Sequence, residues 1–213
     1  MQNKKFILDF EVITLAKYSI ISDVSDYIVK LLKENLSPEP MLSSQTIELV
    51  SPADNNVDYT LGIFLYDIRE NTEHLRVNTI PTEDNKLRRP PQSLSLYYMI
   101  YMNASAQVAV KAIDSQKILA RAQQVLYDNN EIMVEGLQRG LESREENLRI
   151  IPSRLTYDEK TRIWTAIDKP YQVALYYTVA PVMLSSNVVI DDVRVRSVRY
   201  NYTNNKQDRQ RGE

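Results

Sequence analysis

The residue types that most often do chemistry are scarce in this sequence. The only histidine, His74, lies in the polar stretch RENTEHLR, and there is no cysteine or second histidine to complete a metal set or a proton relay. Asp191 and Asp192 would point to opposite faces of a strand, and Glu145 and Glu146 lie in a charged run. Neither pair places two carboxylates on one cleft, as paired-acid chemistry requires. We therefore predict no catalytic residue and no enzymatic activity.

Glycine-rich ligand loops are also missing from the pattern. The chain has only four glycines, which do not form a phosphate-binding loop or a dinucleotide fingerprint. We therefore predict no cofactor, no bound metal and no small-molecule substrate.

The C-terminal stretch combines basic and aromatic residues. Arg194, Arg196 and Arg199 come before or beside Tyr200, and valines alternate with the first two arginines. Such a segment could bind nucleic acid through phosphate pairing and base stacking, or could dock on a protein by adding a strand to a sheet edge. It could equally be a solvated edge strand with a frayed end. Nucleic acid is the least favoured of these three interpretations.

Three helices are predicted from apolar spacing and end signals. The first covers SDVSDYIVKLLKENL, with Ser22 as its cap, and the second carries a stripe from Ile118 to Leu126 that should end at YDNN. The third begins at a capping box formed by Thr156 and Glu159 and has Ile163 and Trp164 as buried anchors. The polar segment after the second helix is expected to form a short helix and a loop.

Alternating apolar residues predict the strands. Six strands are expected. In chain order they lie near Phe6 and in the segments SSQTIELV, VDYTLGIFLYDIREN, SLSLYYMIYM, YQVALYYTVAPVML and NVVIDDVRVRSVRYNY. One face of the third is expected to carry Val57, Tyr59, Leu61, Ile63 and Leu65. The fourth is expected to carry Leu94, Leu96, Tyr98, Ile100 and Met102 on one face and Ser95, Tyr97, Met99 and Tyr101 on the other. One face of the fifth is expected to carry Tyr171, Val173, Leu175, Tyr177 and Val179. In the last strand the parity changes at Ser197, which predicts a bend or bulge there.

The order of these elements determines the expected fold class. Strands and helices do not alternate regularly, so we predict an α+β fold with a mixed or antiparallel sheet, helices packed on one face and an extended C-terminal strand. A chain of 213 residues fits one domain with peripheral segments. We expect an N-terminal extension at residues 1–19, the domain at 20–187, and a C-terminal strand and basic tail at 188–213.

Charge and apolar runs limit the environment. The formal net charge is −2, so any charge-driven partner must be met by a local patch. Asp9 and Glu11 interrupt the only segment that imitates a signal peptide, and no run approaches the ~18 apolar residues of a membrane span. We therefore expect a cytoplasmic protein without direct membrane insertion.

Five segments in a fixed order resemble a known family. They are ISDVSDYIVKLLKENL, LGIFLYDIREN, LRRPPQSLSLYYMIYMNAS, ILARAQQVLYDNNEI and LTYDEKTRIWTAIDKPYQVALYYTVAPVMLSS, which together span roughly Ile20 to Ser186. In this order and spacing the chain is similar to the cap, or tail-terminator, proteins of extracellular contractile injection systems. These phage-tail-like particles include the antifeeding-prophage and virulence-cassette types.

The resemblance implies a structural protein with a tail-terminator-like fold. Six copies would form a ring that closes the distal end of the inner tube and contacts the last sheath layer. Assembly would take place in the cytoplasm, and the particle would then be released or attached to a membrane. The partners implied are the chain itself, the inner tube protein and the sheath protein.

The surfaces that would make these contacts are the aromatic second faces of the strands at Asp58 to Tyr66 and Ser95 to Tyr101. The charged loops YDIREN and EDNKLRRP and the C-terminal tail would contribute as well. Alternatively, the aromatic faces lie under the domain's own helices. The interface candidates are Arg69, Asn71, Arg88, Arg89, Tyr97, Tyr101, Arg194, Arg196, Arg199 and Tyr200.

Overall fold

The computed structural model describes residues 7–8, 18–37, 39–41, 46–71, 80–81, 86–103, 112–134, 148–186 and 188–191. Within them the helices are α1 (Ile20–Leu36), α2 (Ala112–Asp128) and α3 (Tyr157–Ala166). The strands in the same ranges are β1 (Ile7–Leu8), β2 (Ile47–Leu49), β3 (Leu61–Glu70), β4 (Ile80–Pro81), β5 (Lys86–Arg88), β6 (Gln92–Met102), β7 (Glu131–Val134), β8 (Leu148–Pro152), β9 (Ala174–Leu184) and β10 (Val189–Asp191).

Most of these strands form one mixed sheet. Its order is β1-β7-β8-β9-β6-β3-β2, and a smaller sheet has the order β10-β5-β4. The outermost pairs, β1 with β7 and β2 with β3, are parallel, whereas the central strands pair antiparallel. The predicted α+β class with a mixed sheet is therefore confirmed.

Helices α1 and α2 cover one side of the large sheet, which we call the main face. Their buried residues are those of the predicted stripes, from Val24 to Leu36 in α1 and from Ile118 to Leu126 in α2. They pack on Leu96, Tyr98 and their neighbours in one large cluster, the main core. Burying each such leucine or isoleucine contributes about 1.5–3 kcal/mol, and the main core holds most of the buried apolar residues of the described chain.

The start of α1 differs from the prediction. The helix begins at Ile20, two residues before Ser22, and Ser19 precedes it without a side-chain cap. The Ser22 hydroxyl instead donates to the Ser19 carbonyl at 2.7 Å, inside the first turn. Ile20 is 3% exposed and joins the main core, so apolar burial extends the helix beyond the expected cap.

The third helix lies on the opposite side of the sheet, the second face. Trp164 of α3 packs there with Val50, Tyr59, Met99, Tyr101 and Tyr176, which together form the second core. The expectation that all helices share one face is therefore wrong for α3. The aromatic residues of β6 on this face need an apolar cover, and α3 provides it.

Strand β6 has the two faces that its alternation predicts. Leu94, Leu96, Tyr98, Ile100 and Met102 enter the main core, whereas Met99 and Tyr101 enter the second core. Every second residue of a strand points to the same face. Burial on both sides follows because α1 and α2 cover one face of β6 and Trp164 of α3 covers the other.

Strands β3 and β9 begin later than their alternation suggests. Val57 and Tyr59 precede β3, and Tyr59 enters the second core instead of sharing a face with Leu61 and Ile63. Val173 precedes β9 and is 70% exposed. Tyr171 also precedes β9 and is 38% exposed, while Leu175, Tyr177 and Val179 face the main core as expected.

The polar segment after α2 was expected to form a helix and a loop, and its described parts are strands instead. Glu131–Val134 and Leu148–Pro152 form β7 and β8, which pair with each other and extend the sheet beyond β9. Ile132, Leu148 and Ile150 are buried in the main core. The apolar signal of these strands is only two or three residues long, so periodicity alone could not identify them.

Candidate functional site

One cleft in the described part of the chain lies between the loop at residues 52–59 and the end of α3. It has a volume of about 160 Å³, and its lining includes Asp54, Asp58, Lys169 and several amides. Asp54 accepts the Asn56 backbone N–H at 2.9 Å, and Lys169 donates to the Asn55 side chain at 3.0 Å. These bonds hold the loop closed on itself and on α3, and they bring no nucleophile and base together. Within the described ranges, no three His, Cys, Asp or Glu side chains lie together in a group that could hold a metal ion.

The wall of this cleft is the aromatic second core. The Tyr101 hydroxyl lies 2.9 Å from that of Tyr59 and donates to the Val50 carbonyl at 3.1 Å, while the ring meets Trp164 edge-on at 5.8 Å. Burial raises the pKa of Tyr101, and burial likewise raises the pKa of Tyr176, to about 12. Buried phenols with satisfied hydroxyls are packing elements.

Tyr101 was a candidate for contact with another subunit. It is 2% exposed, and its ring packs on α3 of its own chain. For Tyr101 the alternative interpretation therefore holds: its ring lies under a helix of its own chain. Met99 on the same face is also fully buried.

Beyond α3, the second face carries a half-open strip formed by Tyr66, Arg69 and Tyr97, which we call the strip. The Arg69 guanidinium lies 4.8 Å from the centre of the Tyr97 ring, and Tyr66 lies 6.1 Å from Tyr97 between ring centres. Asp67 accepts a hydrogen bond from Arg69 Nε at 2.6 Å, and this bond raises the pKa of Arg69. The strip therefore brings the predicted candidates Arg69 and Tyr97 together as an aromatic and charged surface.

The strip borders an irregularity in β3 that the sequence interpretation missed. The register between β3 and β6 shifts between Leu65 and Asp67, so Tyr66 is an extra residue. After the shift, Ile68 lies on the main face opposite Leu96. The spacing of three between Leu65 and Ile68 interrupts the alternation, and it is the signal that could have predicted the bulge.

The remaining candidates lie at the end of the sheet or beyond the described residues. Asn71 follows β3 and donates its N–H to the Ser93 carbonyl at 2.8 Å. Arg88 pairs with Ile80 and Val189 in the small sheet, and exposed Arg89 donates its N–H to the Val188 carbonyl at 3.3 Å. The backbone of Arg88 thus belongs to the small sheet, and that of Arg89 bonds to the residue before β10. Arg194, Arg196, Arg199, Tyr200 and the predicted bend at Ser197 lie outside the described residues.

No helix of the described residues is long and apolar enough to cross a membrane. Strand β10 places residues 189–191 of the predicted C-terminal segment against β5. Strand β10 therefore lies beside the segment that leads into the start of β6.

The fold is similar to that of two solved structures. One is the PVC sheath/tube terminator of an extracellular contractile injection system in its extended state, with a TM-score of 0.59, 18% identity, and coverage of 88% of this chain and 65% of that chain. The other is the cap of the anti-feeding prophage, a tube-terminating cap, with a TM-score of 0.55, 16% identity, and coverage of 85% and 61%. This chain thus spans somewhat less than two thirds of the length of either protein.

Comparison with curated proteins gives no match. A family model does match, that of the Pvc16 N-terminal domain, over residues 23–196. This match covers most of the chain, from α1 through the first part of the predicted tail. The chain belongs to the Pvc16 N-terminal domain family.

Proposed function

We propose that this protein is a structural cap, or tail terminator, of a contractile injection system. Copies of the chain would form a ring that closes the distal end of the inner tube and contacts the last sheath layer. The observation that carries the proposal is the fold likeness to two terminator structures over 85% or more of the chain, combined with membership of the Pvc16 N-terminal domain family. The partners would be other copies of the chain, the inner tube protein and the sheath protein.

The proposed assembly is a homohexamer built in the cytoplasm. The finished particle would be released from the cell or attached to a membrane. Support from the site is that the charged groups of the cleft and the strip bond to their own neighbours, as in Lys169 with Asn55 and Arg69 with Asp67. Such an arrangement suits a rigid contact surface better than a reaction centre, so we infer a role without enzymatic activity.

Among the described candidates, two groups would make contacts with other subunits or with the tube and sheath. Arg69 and Tyr97 offer an aromatic and charged surface on the second face, next to Asn71. Arg88 is the last residue of β5 in the small sheet, Arg89 follows it before β6 begins, and Arg89 is exposed. Arginine beside tyrosine is a frequent combination at protein interfaces because both provide contact area and directed hydrogen bonds.

Electron microscopy of the purified full chain tests the ring directly, with light scattering to give the subunit number. We expect six-fold rings that bind the end of the tube. The variant Arg88→Glu with Arg89→Glu should weaken ring formation or tube capping, because it changes the charge at a proposed contact by four units, from +2 to −2. Lys117→Glu with Arg121→Glu on α2 makes the same change in charge and is the matched control.

Two results would separate the parts of this proposal. Normal rings and capping with the Arg88 and Arg89 reversal would show that the small sheet makes no essential contact. A chain that stays monomeric at every concentration, with and without tube, would contradict the ring itself.

The alternative function is a nucleic-acid-binding module that uses the basic tail. The observation in its favour is the excess of arginine and lysine over acids in the last twenty residues, with Tyr200 and Tyr202 among them. Binding driven by phosphates must weaken steeply as salt rises. We expect no salt-dependent binding to duplex or single-stranded DNA at physiological ionic strength.

A further inference from the structure

The outer edge of β3 extends well past its described partner. Strand β2 pairs only with Leu61–Ile63, whereas β3 continues to Glu70. No described strand pairs with the edge from Phe64 to Glu70, which is about 23 Å long at ~3.3 Å per residue. An open edge of this length offers a row of backbone groups that can accept another strand.

The direction of these backbone groups follows from the pairing with β6. Asn71 donates its N–H to the Ser93 carbonyl on β6, and the groups of an antiparallel strand alternate between its two sides. The backbone of Ile68 therefore points outward. Its N–H donates to the Asp67 carboxylate at 2.9 Å, so a side chain occupies the position that a neighbouring strand would take.

The two faces of this edge differ in chemistry. Ile68 faces the main side and is 45% exposed, next to half-buried Leu65. Asp67 faces the second side beside Tyr97, and its side chain is 36% exposed. A strand that fits this edge needs apolar side chains on one face and basic side chains on the other.

The predicted C-terminal strand has this pattern, including its irregularity. Its apolar positions are Val193, Val195, Val198 and Tyr200, and the change of parity at Ser197 separates Val195 from Val198 by three residues. Leu65 and Ile68 have the same separation across the β3 bulge. The same change of parity puts all three arginines, Arg194, Arg196 and Arg199, on the opposite face.

We propose that residues 193–200 of a second copy of this chain add to the outer edge of β3 as a strand. The valines would cover Ile68 and Leu65 on the main face. The arginines would lie on the second face near Asp67, and also near Glu159, whose charge already interacts with Arg69. This inference rests on the proposed ring, since it identifies the contact by which one subunit would hold the next.

The absence of cysteine makes a cross-linking test clean. One full-length copy carries Ile68→Cys, and a second copy with a size tag carries Val195→Cys or Val198→Cys, so that antiparallel and parallel pairing are both sampled. Mixing and oxidation should give a disulfide-linked heterodimer on a non-reducing gel, because directly opposite strand residues reach disulfide distance. Ile151→Cys on β8, which is 48% exposed, replaces Ile68→Cys in the matched control and should give several-fold less product.

A charge reversal at the edge gives a second measurement. Asp67→Arg in the Ile68→Cys copy should lower the heterodimer yield several-fold, because it places a cation opposite the arginine face. Asp158→Arg on the exposed side of α3 is the matched control and should leave the yield unchanged. Equal yields from both variants would contradict the proposed arginine contact.

The outcomes also separate this inference from the proposed function. Ring-sized particles with heterodimer at the level of the Ile151→Cys control would show that the ring forms by another contact. An intrachain disulfide in the double variant Ile68→Cys with Val195→Cys or Val198→Cys, without heterodimer on mixing, would mean that the tail pairs with its own edge and would overturn the inference. Particles that never form and heterodimers that never form would contradict the ring and the strand addition together.

Discussion

At the scale of single residues, Gly62 and Tyr101 pack closely against each other. The two residues are directly opposite in the pairing of β3 with β6, and the tyrosine ring lies over the glycine. A Cβ atom at Gly62 would lie 2.4 Å from Tyr101 Cζ. The ring cannot move aside easily, because Tyr59 and the Val50 carbonyl hold its hydroxyl and Trp164 packs against it.

We expect Gly62→Ala to destabilise the protein by about 1–3 kcal/mol, the usual cost of overpacking a well-packed site. Urea denaturation followed by circular dichroism measures the change. The same substitution in a Tyr101→Leu background should cost clearly less, because the ring that it collides with is gone. An equal cost in both backgrounds would show that the effect of Gly62→Ala comes from the strand backbone and not from the ring.

At the scale of elements, α3 depends on its first turn more than the other helices do. Thr156 accepts the Glu159 backbone N–H at 3.3 Å, and the Glu159 carboxylate accepts the Thr156 backbone N–H at 2.7 Å. The hydrogen bonds that the carboxylate accepts from the Thr156 backbone N–H and from the Thr156 hydroxyl lower the pKa of Glu159. A helix of ten residues with one fully buried side chain, Trp164, has few tertiary contacts, so its cap contributes a large share of its stability.

Replacing the cap tests this account of α3. Thr156→Ala should lower the free energy of unfolding by about 1 kcal/mol. Thr165→Ala, on the exposed side of the same helix, removes a hydroxyl that bonds only to the preceding turn and should have little effect or stabilise slightly. Equal losses at the two positions, measured by urea denaturation, would contradict a specific role for the cap.

The elements that the sequence predicted best are those with long repeats. Both helical stripes on the main face and both faces of β6 are found as predicted. The capping box at Thr156 is also confirmed, because both of its partners are local. Strands β7 and β8 were not predicted because their apolar runs are only two or three residues long and their pairing depends on residues far apart in the chain.

At the scale of the whole molecule, buried neutral tyrosines lie in both cores. Burial raises the pKa values of Tyr66, Tyr98 and Tyr176 to about 12 each. Tyr98 also exchanges a hydrogen bond of 2.8 Å with Ser25, which ties α1 to the centre of the sheet. On both sides of the sheet, the folded state thus stabilises the protonated form of these phenols.

The consequence is a loss of stability at alkaline pH. In the unfolded chain tyrosine ionises near ~10, so the folded state binds the protons more tightly and stability is fully present below that pH. It should fall as pH rises from about 10 to about 12, where the folded-state phenols ionise as well. Urea denaturation between neutral pH and pH ~12 measures the slope.

A pair of variants checks that buried phenols cause this slope. Tyr98→Phe should make the alkaline loss shallower, because it removes one of the groups whose pKa differs between the folded and unfolded states. Tyr127→Phe, at a position that is 74% exposed, is the matched control and should leave the slope as in the unmodified chain. A stability that stays level through this pH range in the unmodified chain would contradict the proposed linkage.

The sequence by itself determined the local features of this protein. Helical stripes, the alternation of β6 and the capping box are encoded within a few residues, and the order of five segments was enough to indicate the cap family, to which the family-model match adds independent support. The interface candidates and the tail remain predictions, because they concern surfaces that meet other molecules.

The tertiary structure alone decided which aromatic surface is inside and which is accessible. Alternation in β6 cannot show that α3 returns to cover Tyr101 and leaves Tyr97 beside Arg69, since that depends on a helix more than fifty residues later in the chain. It also cannot show that β2 pairs only with Leu61–Ile63 and that no described strand pairs with the rest of the outer edge of β3. Both outcomes come from packing between distant segments, where apolar burial and strand pairing act together, and no local pattern records their result.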